Sequence, residues 1–342
     1  MAPSTKHEKN STSPKEKTRL FNLIDKFHTA SVLVVGDFIL DEFVWGSVRR
    51  ISPEAPVPVV EVDRQNYMPG GALNVAHNVK TLEGTVYPCG VVGRDLYGRM
   101  LIRAIRQERI DTGGVIYDAG RPTTLKTRVI AHSQQLVRFD REKIHDLKPV
   151  DTKAIVNFVR KVSSEVQAII IEDYGKGVVT PELIRSLIKL AKESKIPVLV
   201  DPKEKNFPYY KGVTAITPNK KEAFTAYGAN GEKVPTLTEV GKGLLKKFSC
   251  DSVLITLGEE GMALFEKNGH VTKIPTAARE VYDVSGAGDT VIAAFALALA
   301  AGASMKEAAV IANAAAGVVV GKLGTATLTR IELKEALHSL LK

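Results

Sequence analysis

The segment Asp283-Val-Ser-Gly-Ala-Gly-Asp-Thr-Val-Ile-Ala-Ala294 joins a glycine-rich turn directly to an apolar stretch that predicts a helix beginning near Ala287. The free N–H groups of such a turn and the positive end of the helix dipole favour a negatively charged group, such as a phosphoryl group in a transition state. Asp289, in the first helical turn, can accept the proton of an attacking hydroxyl. The structural alternative is a tight turn followed by a helix-start aspartate. We predict a phosphoryl-transfer centre formed by Gly286, Ala287, Gly288 and Asp289.

The rest of the chain alternates between short β-branched runs and amphipathic stretches. Strands are predicted at 31–35, 166–171, 198–200, 214–216 and 252–256. Helices are predicted near 74–83, 93–108, 151–163, 181–194, 236–248, 288–301, 305–320 and 331–341. This alternation is typical of a parallel sheet with helices on both faces. We therefore predict a doubly wound α/β fold with about eight or more mostly parallel strands and with ligands at their carboxyl ends.

Two segments interrupt the alternation. Residues 42–66 and 115–141 are rich in Val, Thr, Pro and alternating polar residues, which indicates antiparallel strands inserted into the α/β chain. A small β-sheet lid over the carboxyl edge of the main sheet accounts for both segments. Two mobile surface hairpins are the alternative that composition leaves open.

The N-terminal segment 1–18 is polar and rich in Ser, Thr and Lys. Such a segment buries too little apolar surface to offset the cost of ordering, so we predict a disordered basic tail. No Pro/Gly/Ser-rich linker divides the remainder of the chain, and we predict that residues 19–342 form a single domain.

Composition restricts the partners and the compartment. The net charge of +9 is dispersed rather than clustered in a stripe, so it favours a pocket for anionic ligands over a nucleic-acid partner. The first twenty residues contain no apolar signal region, and the most apolar stretch, 291–301, is too short to span a bilayer. The only cysteines, Cys89 and Cys250, suggest neither a zinc site nor a disulfide framework. We expect a cytoplasmic protein without a membrane partner.

Several motifs resemble those of the ribokinase-like (PfkB) carbohydrate kinases. The segment 283–294 is similar to their C-terminal signature, and Pro69-Gly-Gly-Ala-Leu-Asn-Val-Ala76 resembles their N-terminal signature. Val34-Val-Gly-Asp37 resembles the strand end that binds sugar hydroxyls, and Asn219-Lys-Lys-Glu222 resembles their N-x-x-E element. The resemblance implies a ribokinase-like fold and ATP-dependent phosphorylation of a carbohydrate hydroxyl.

The resemblance also implies residue roles. For the sugar it implies contacts from Asp37, Asp41, Gly70, Gly71 and Asn74. For ATP it implies Asn219, Lys220, Lys221, Glu222, Lys203, Thr256, Gly258, Gly261 and Asn313. It implies Mg²⁺ held by Glu222 through water, and it allows for a monovalent cation as well.

Further strings are similar to those of one group in the family, the D-glycero-β-D-manno-heptose 7-phosphate kinases. These strings lie at 50–59, 134–140, 173–177 and 312–325. The group makes the 1,7-bisphosphate for ADP-heptose and lipopolysaccharide synthesis, and the absence of an H-x-G-H motif points to its stand-alone kinase form. A phosphorylated substrate needs cations, for which Arg128, Arg138 and Lys176 are the candidates, with ordinary surface charge as the alternative for each.

Other functions stay open from the sequence. Another phosphosugar or a nucleoside is an alternative substrate, and a non-catalytic sugar-phosphate-binding regulator is an alternative class. A dinucleotide-dependent oxidoreductase is disfavoured because no G-x-G-x-x-G follows the first strand.

A two-stranded sheet standing alone is marginal in water, so we expect the lid strands to pair between two subunits in a homodimer.

Overall fold

The computed structural model of the protein describes residues 13–132, 134–228, 234–278 and 280–341. In chain order, its strands are β1 (Ser31–Gly36), β2 (Phe38–Ile51), β3 (Pro58–Gly71), β4 (Thr85–Gly93), β5 (Gly114–Asp118), β6 (Thr124–Ala131), β7 (Gln134–Arg141), β8 (Ala168–Glu172), β9 (Val198–Asp201), β10 (Ala215–Ile216), β11 (Ser252–Thr256), β12 (Met262–Glu266) and β13 (Val271–Ile274). Its α-helices are α1 (Pro14–Asp25), α2 (Ala72–Thr81), α3 (Leu96–Gln107), α4 (Pro149–Val162), α5 (Pro181–Ser194), α6 (Lys220–Tyr227), α7 (Leu237–Phe248), α8 (Ala287–Ala300), α9 (Met305–Val319) and α10 (Arg330–Leu340).

The main sheet has nine strands within the described residues, in the order β13-β12-β11-β10-β9-β8-β1-β4-β5. Its strands are parallel from β11 to β5, while β12 and β13 are antiparallel additions at one edge. The prediction of a mostly parallel, doubly wound sheet is therefore confirmed. The predicted helices are also present, with ends within three residues of the predicted ones.

Alternating side chains of the central strands enter two hydrophobic clusters, one on each face of the sheet. Val32 and Val34 of β1 pack on the face covered by α1, α2, α3, α8, α9 and α10. Leu33 and Val35 pack on the opposite face, which is covered by α4, α5, α6 and α7. Burial on both faces explains why these strands are continuous apolar runs rather than alternating ones.

The lid is a second sheet of four strands in the order β3-β2-β6-β7. Strands β2 and β3 form one antiparallel hairpin, β6 and β7 form another, and β2 joins them by pairing in parallel with β6. The prediction that segment 115–141 belongs to the lid is wrong for its first residues, because residues 114–118 form β5 at the edge of the main sheet. The segment β4–α3–β5 is a parallel crossover unit, so β5 continues the α/β alternation and the lid begins only at β6.

The predicted tail also needs a correction. Residues 1–12 lie outside the described residues, but α1 begins at Pro14, so the prediction of disorder is wrong for 14–18. Ser13 and Glu16 cap this helix reciprocally, and Leu20, Leu23 and Ile24 on its inner face are buried. The capping box and the buried apolar side chains together stabilise this basic segment as a helix.

Among the described residues, no helix has both the length and the hydropathy that a membrane span requires. The apolar helix α8 has 14 residues and is therefore about 21 Å long. A bilayer core is about 30 Å thick.

Candidate active site

A cleft of about 820 Å³ lies at the carboxyl ends of the parallel strands β8 to β11. It brings together every residue that the sequence predicts for the nucleotide and for the catalytic turn. These residues are Lys203, Asn219, Lys220, Lys221, Glu222, Thr256, Gly258, Gly261, Gly286, Ala287, Gly288, Asp289 and Asn313. The location agrees with the rule that open α/β sheets bind ligands beyond their strand ends.

The turn before α8 is built to expose backbone donors. Gly286 has φ of 76°, in the left-handed region, and an added Cβ would lie 2.7 Å from the side-chain nitrogen of Asn74. The carboxylate of Asp283 accepts hydrogen bonds from the N–H groups of Ser285 and Gly324, both at 2.9 Å. Because N–H groups of a first helical turn lack acceptors within the helix, this fixed turn presents donors and the positive helix end to the cleft.

Asp289 is buried at the start of α8, and both of its carboxylate oxygens have donors. The side-chain N–H of Asn74 donates to Oδ2 at 2.6 Å, and the hydroxyl of Tyr174 donates to Oδ1 at 2.8 Å. Burial raises the pKa of Asp289 to about 6, although these two hydrogen bonds and Lys126 act in the opposite direction. The carboxylate is therefore mostly ionised at neutral pH and far more basic than an exposed aspartate.

Asn74 is hydrogen-bonded on both side-chain atoms within the protein, and the contact with a sugar hydroxyl that the resemblance implies stays a prediction. Its Nδ2 donates to Asp289, and its Oδ1 accepts from Nδ2 of Asn78 at 3.3 Å. Asn78 in turn accepts from the hydroxyl of Thr290, one residue after Asp289. Asn74 thus ties α2 to α8 and positions the carboxylate of Asp289.

Asp37 is likewise occupied by the protein itself. Its buried carboxylate accepts hydrogen bonds from the backbone N–H groups of Tyr174, Lys176 and Val178, each at 3.0 Å. Burial, together with neighbouring Asp173, raises the pKa of Asp37 to about 6. Asp37 therefore holds the loop after β8 in place, including the tyrosine that donates to Asp289, and the sugar contact that the resemblance implies stays a prediction.

Asp41 lies on the lid where β2 meets β3. Its carboxylate forms an ion pair with Arg128 of β6, and both side chains are largely buried. The glycines Gly70 and Gly71 end β3, and an added Cβ at Gly70 would lie only 2.0 Å from Oδ2 of Asp41. The absence of a side chain at Gly70 thus leaves room for the carboxylate predicted to contact the sugar.

Cationic side chains share one face of the lid with Asp41. Lys126 is the cross-strand partner of Asp41, and Arg128 is the cross-strand partner of Arg138. The ammonium of Lys126 lies 4.6 Å from the ring centre of Tyr174, and burial lowers its pKa. Arg138 is half-exposed and pairs with Asp140 on its own strand. Lys176 approaches from the loop after β8 and pairs with Glu142 at 2.6 Å.

The N-x-x-E element forms the N-terminal cap of α6. The side chain of Asn219 accepts from the backbone N–H of Glu222 at 2.9 Å, and that of Glu222 accepts from the N–H of Asn219 at 3.1 Å. The other oxygen of Glu222 is 3.4 Å from the ammonium of Lys203. Lys220 and Lys221 are exposed at the same helix start, where Lys220 pairs with Glu260.

The opposite wall of the cleft comes from the turn after β11 and from α9. Gly258 and Gly261 both have positive φ, and a Cβ at Gly261 would lie 2.2 Å from the carbonyl oxygen of Ile274. Thr256 ends β11 and bridges to Asn219. Asn313 is buried and donates from its side chain to the carbonyl of Pro275 at 2.8 Å, so it fixes the neighbouring loop.

Sequence reasoning missed four residues in this centre. Tyr174 and Lys126 surround Asp289, and Glu172 and Asp201 end the adjacent strands β8 and β9 beside it. A signal existed for the two acids, because each ends an apolar run that was predicted to be a strand. The sequence contains no comparable signal for Lys126, because the position of Lys126 depends on the pairing of β6 with β2.

Comparisons with known proteins agree with this geometry. Residues 29–331 match the family model described as pfkB family carbohydrate kinase. The chain is 45% identical over 309 residues to Bifunctional protein HldE of Wolinella succinogenes, a match that covers 90% of this chain and 65% of that protein. The protein of the same name from Geobacter metallireducens is 45% identical over 318 residues, covering 93% and 65%. The chain thus spans less than two thirds of the length of these relatives.

Solved structures share the fold at low sequence identity. Ribokinase from Thermotoga maritima superposes with a TM-score of 0.71 at 22% identity, covering 90% of this chain and 99% of that one. Phosphofructokinase-2 from Escherichia coli in complex with potassium gives a TM-score of 0.73 at 18% identity, covering 92% and 99%. These neighbours establish a ribokinase-like fold, and with the family match over 29–331 they make the chain a sugar kinase that belongs to the pfkB family of carbohydrate kinases.

Proposed function

We propose that this chain transfers the γ-phosphoryl group of ATP to the C1 hydroxyl of D-glycero-β-D-manno-heptose 7-phosphate, giving the 1,7-bisphosphate for ADP-heptose and lipopolysaccharide core synthesis. The observation that carries the proposal is the position of Asp289. It lines the nucleotide cleft, and the charges of Asp41 and Lys126 on the lid act on it. A hydroxyl held under the lid would therefore meet the base and the nucleotide together.

Asp289 would accept the proton of the attacking hydroxyl. Its pKa of about 6 leaves it ionised at neutral pH but basic enough to assist the attack. The donors Asn74 and Tyr174 hold the carboxylate in one orientation. The N–H of Ala287 donates to the carbonyl of Val284 at 3.2 Å. The N–H groups of Gly286 and Gly288 in the same turn would stabilise the charge that develops on the transferred phosphoryl group.

The residues on the opposite side of the cleft fit a nucleotide with Mg²⁺. Lys203 and the start of α6 supply positive charge for phosphates, and the turn with Gly258 and Gly261 allows close backbone approach. Glu222 would hold Mg²⁺ through water, and the ion, when bound, neutralises phosphate charge. The use of a monovalent cation remains a prediction. ATP is a cytoplasmic substrate, so the proposal includes a cytoplasmic location.

The cationic side chains on the lid face favour a sugar substrate that already carries a phosphate group. Arg128 and Arg138 are direct cross-strand partners, and like charges in that position destabilise a sheet. The nearby carboxylates of Asp41 and Asp140 pair with one arginine each, and Lys126 and Lys176 add further positive charge. A substrate phosphate between these cations would offset their repulsion through charge-assisted hydrogen bonds.

The test compares heptose 7-phosphate with heptose in an assay of ADP release. Charge-assisted contacts to phosphate are each worth about 1.5–3 kcal/mol, so loss of the phosphate should lower kcat/KM by about tenfold to a hundredfold. Arg138→Ala should remove much of this discrimination without changing the KM for ATP. The matched control is Arg49→Ala, because Arg49 is a lid arginine that is 77% exposed and pairs with Glu61. Equal kcat/KM for the two sugars on the wild type would defeat the heptose 7-phosphate assignment.

We also propose that the lid forms a homodimer interface. On the face opposite the cations, Val62, Val137 and Phe139 expose 58%, 50% and 54% of their surface. Packing of these three exposed side chains against a second lid would remove their apolar surface from water. Phe139→Asp should convert a dimer to a monomer in sedimentation equilibrium. A wild-type monomer at all concentrations would exclude the dimer.

A further inference from the structure

Arg121 lies in the connection between β5 and β6, and its side chain is buried. Its Nε donates to Oδ2 of Asp118 at 3.1 Å. Its two terminal nitrogens donate to the carbonyl oxygens of Lys176 at 3.2 Å and of His145 at 2.8 Å. The three partners belong to different segments, namely the end of β5, the loop after β8 and the segment after β7. One guanidinium therefore joins three segments that are far apart in sequence.

The lid hairpin β6–β7 is attached to the rest of the chain by two connections, residues 119–123 and 142–148. Arg121 belongs to the first connection, and its bond to the carbonyl of His145 ties it to the second. The second connection also lies against the loop after β8. Gly177 of that loop has φ of 97°, and an added Cβ would lie 2.0 Å from the carbonyl oxygen of His145. Both attachments of the hairpin thus meet at this loop.

The loop after β8 carries the donor that orients the proposed base. The hydroxyl of Tyr174 donates to Asp289, and the backbone N–H of Lys176 donates to Asp37. The carbonyl of the same Lys176 accepts from Arg121. Arg121 and Asp37 therefore hold the backbone of this loop through the two polar groups of one residue.

Tyr174 is the donor to Asp289 that a change at Arg121 can reach. The other groups that face Asp289 belong to other elements: Asn74 of α2, Asp41 and Lys126 of the lid, Glu172 at the end of β8 and Asp201 at the end of β9. Lys126 is held by the pairing of β6 with β2, in which Asp41 is its cross-strand partner. The effect of Arg121 on Asp289 should therefore pass through Tyr174.

The chemistry of Arg121 suits this role. Its planar guanidinium has five N–H donors in fixed directions, so it can bind acceptors of several segments at once, whereas the ammonium of a lysine is a single point of charge. Although burial acts in the opposite direction, the N–H of Gly120 and the guanidinium of Arg121 lower the pKa of Asp118 to about 2. The ion pair with Asp118 anchors the guanidinium, and its remaining donors are left for the carbonyls of the two loops.

We propose that Arg121 is a positioning residue that couples the lid hairpin β6–β7 to the base. Its bonds to Lys176 and His145 keep the loop after β8 and both lid connections in one arrangement, in which Tyr174 stays hydrogen-bonded to Asp289. The proposal rests on the proposed function, because it takes Asp289 as the base, but it does not depend on which sugar is the substrate.

The first experiment measures kcat/KM for the sugar as a function of pH in Arg121→Lys, which keeps a charge for Asp118 but lacks the fork of donors. A loosened loop should weaken the bond from Tyr174 to Asp289. The acid limb of the pH–rate profile should therefore move to higher pH by about half a unit to one unit, a part of the shift expected from full loss of that bond. Lys148→Ala is the matched control and should leave the acid limb in place, because Lys148 also pairs with Asp118 but is 58% exposed.

A double variant separates positioning from a general loss of packing. Because Arg121 acts through Tyr174, the combination of Arg121→Lys with Tyr174→Phe should show the acid limb of Tyr174→Phe alone, and the two shifts should not add. Additive shifts would overturn the proposal. An acid limb that stays in place in a folded Arg121→Lys would overturn it as well.

A second readout needs neither sugar nor ATP. The N–H groups of Tyr174, Lys176 and Val178 donate to Asp37, and in Arg121→Lys they should exchange at least about tenfold faster by hydrogen-exchange mass spectrometry. Amides of α7 should be unchanged, which shows that the variant is folded. Protection of the loop equal to that of the wild type would overturn the proposal. Faster exchange in the variant, with no phosphoryl transfer by the wild type, would support the anchoring and defeat the proposed function, so the two failures are distinct.

Discussion

Tyr174→Phe is the sharpest test of the proposed base, because it removes one hydroxyl and keeps the ring. That hydroxyl donates to Oδ1 of Asp289 at 2.8 Å and stabilises the ionised carboxylate. Without it, the charged form loses a donor while the burial that raises the pKa of Asp289 to about 6 stays the same. The pKa of Asp289 should therefore rise further. The ammonium of Lys126, 4.6 Å from the ring centre, keeps its contact with Phe.

The magnitude depends on the strength of the lost bond. A hydrogen bond to a charged acceptor contributes about 1.5–3 kcal/mol, and 1.36 kcal/mol corresponds to one pH unit. The acid limb of the pH–rate profile should therefore move to higher pH by about one to two units. In the wild type about nine-tenths of Asp289 is ionised at pH 7. In the variant the ionised fraction should fall to about a half or a tenth, so the rate at pH 7 should drop about twofold to tenfold. At higher pH the rate should recover.

The assay is kcat/KM for the sugar from pH 5 to 9, with saturating ATP and Mg²⁺. Tyr117→Phe is the control, because Tyr117 lies on β5 and is 42% exposed. An acid limb at the same pH in Tyr174→Phe and the wild type would refute the reasoning. A rate loss that is uniform at every pH would refute it too, because it would indicate a change in geometry and not in the pKa of Asp289.

Substitutions at Asp289, Gly70 and Asp37 give three further predictions. Asp289→Asn should lower kcat by at least about a thousandfold while both substrates still bind in calorimetry, because an amide cannot accept the proton; near-normal turnover would remove Asp289 from the base role. Gly70→Ala would place a methyl 2.0 Å from Oδ2 of Asp41, so the sugar KM should rise at least about tenfold with the ATP KM unchanged, and an unchanged sugar KM would argue against contact by Asp41. The raised pKa of Asp37, about 6, stabilises the fold below pH 4 and loses this contribution as pH rises through 6. Relative to Asp37→Asn, the wild type should therefore lose up to about 3 kcal/mol between pH 4 and pH 7 in urea unfolding, and parallel curves would contradict this assignment.

The sequence could predict the features that depend on local patterns. The turn at 283–289 and the apolar helix after it are contiguous, and the parallel strands appear as short β-branched runs. Where the local pattern was ambiguous, the prediction failed. Residues 114–118 contain β-branched and aromatic side chains, as the lid strands do, and only pairing with β4 assigns them to the main sheet. The start of α1 was readable, since Ser13, Pro14 and Glu16 form a capping box with proline at the first turn.

The partners of the site residues could not be predicted, because they are distant in sequence. Asn74 and Asp289 are 215 residues apart, and Asp37 binds a loop 137 to 141 residues later. Sequence motifs identify which residue types are present, but the donors that each carboxylate receives depend on the packing of α2 and the β8 loop against α8.

These partners also separate the origins of catalysis and of specificity. The polar groups around Asp289 are largely satisfied by one another, since Asn74, Tyr174 and Asp37 form a connected network without a substrate. Such a network costs no reorganisation when a hydroxyl arrives, and it is independent of the rest of the sugar. The lid face is different, because Arg128 and Arg138 lie opposite one another with more positive charge nearby. Changes in the substrate chosen should therefore come from the lid, whereas changes around Asp289 should lower the rate for every sugar.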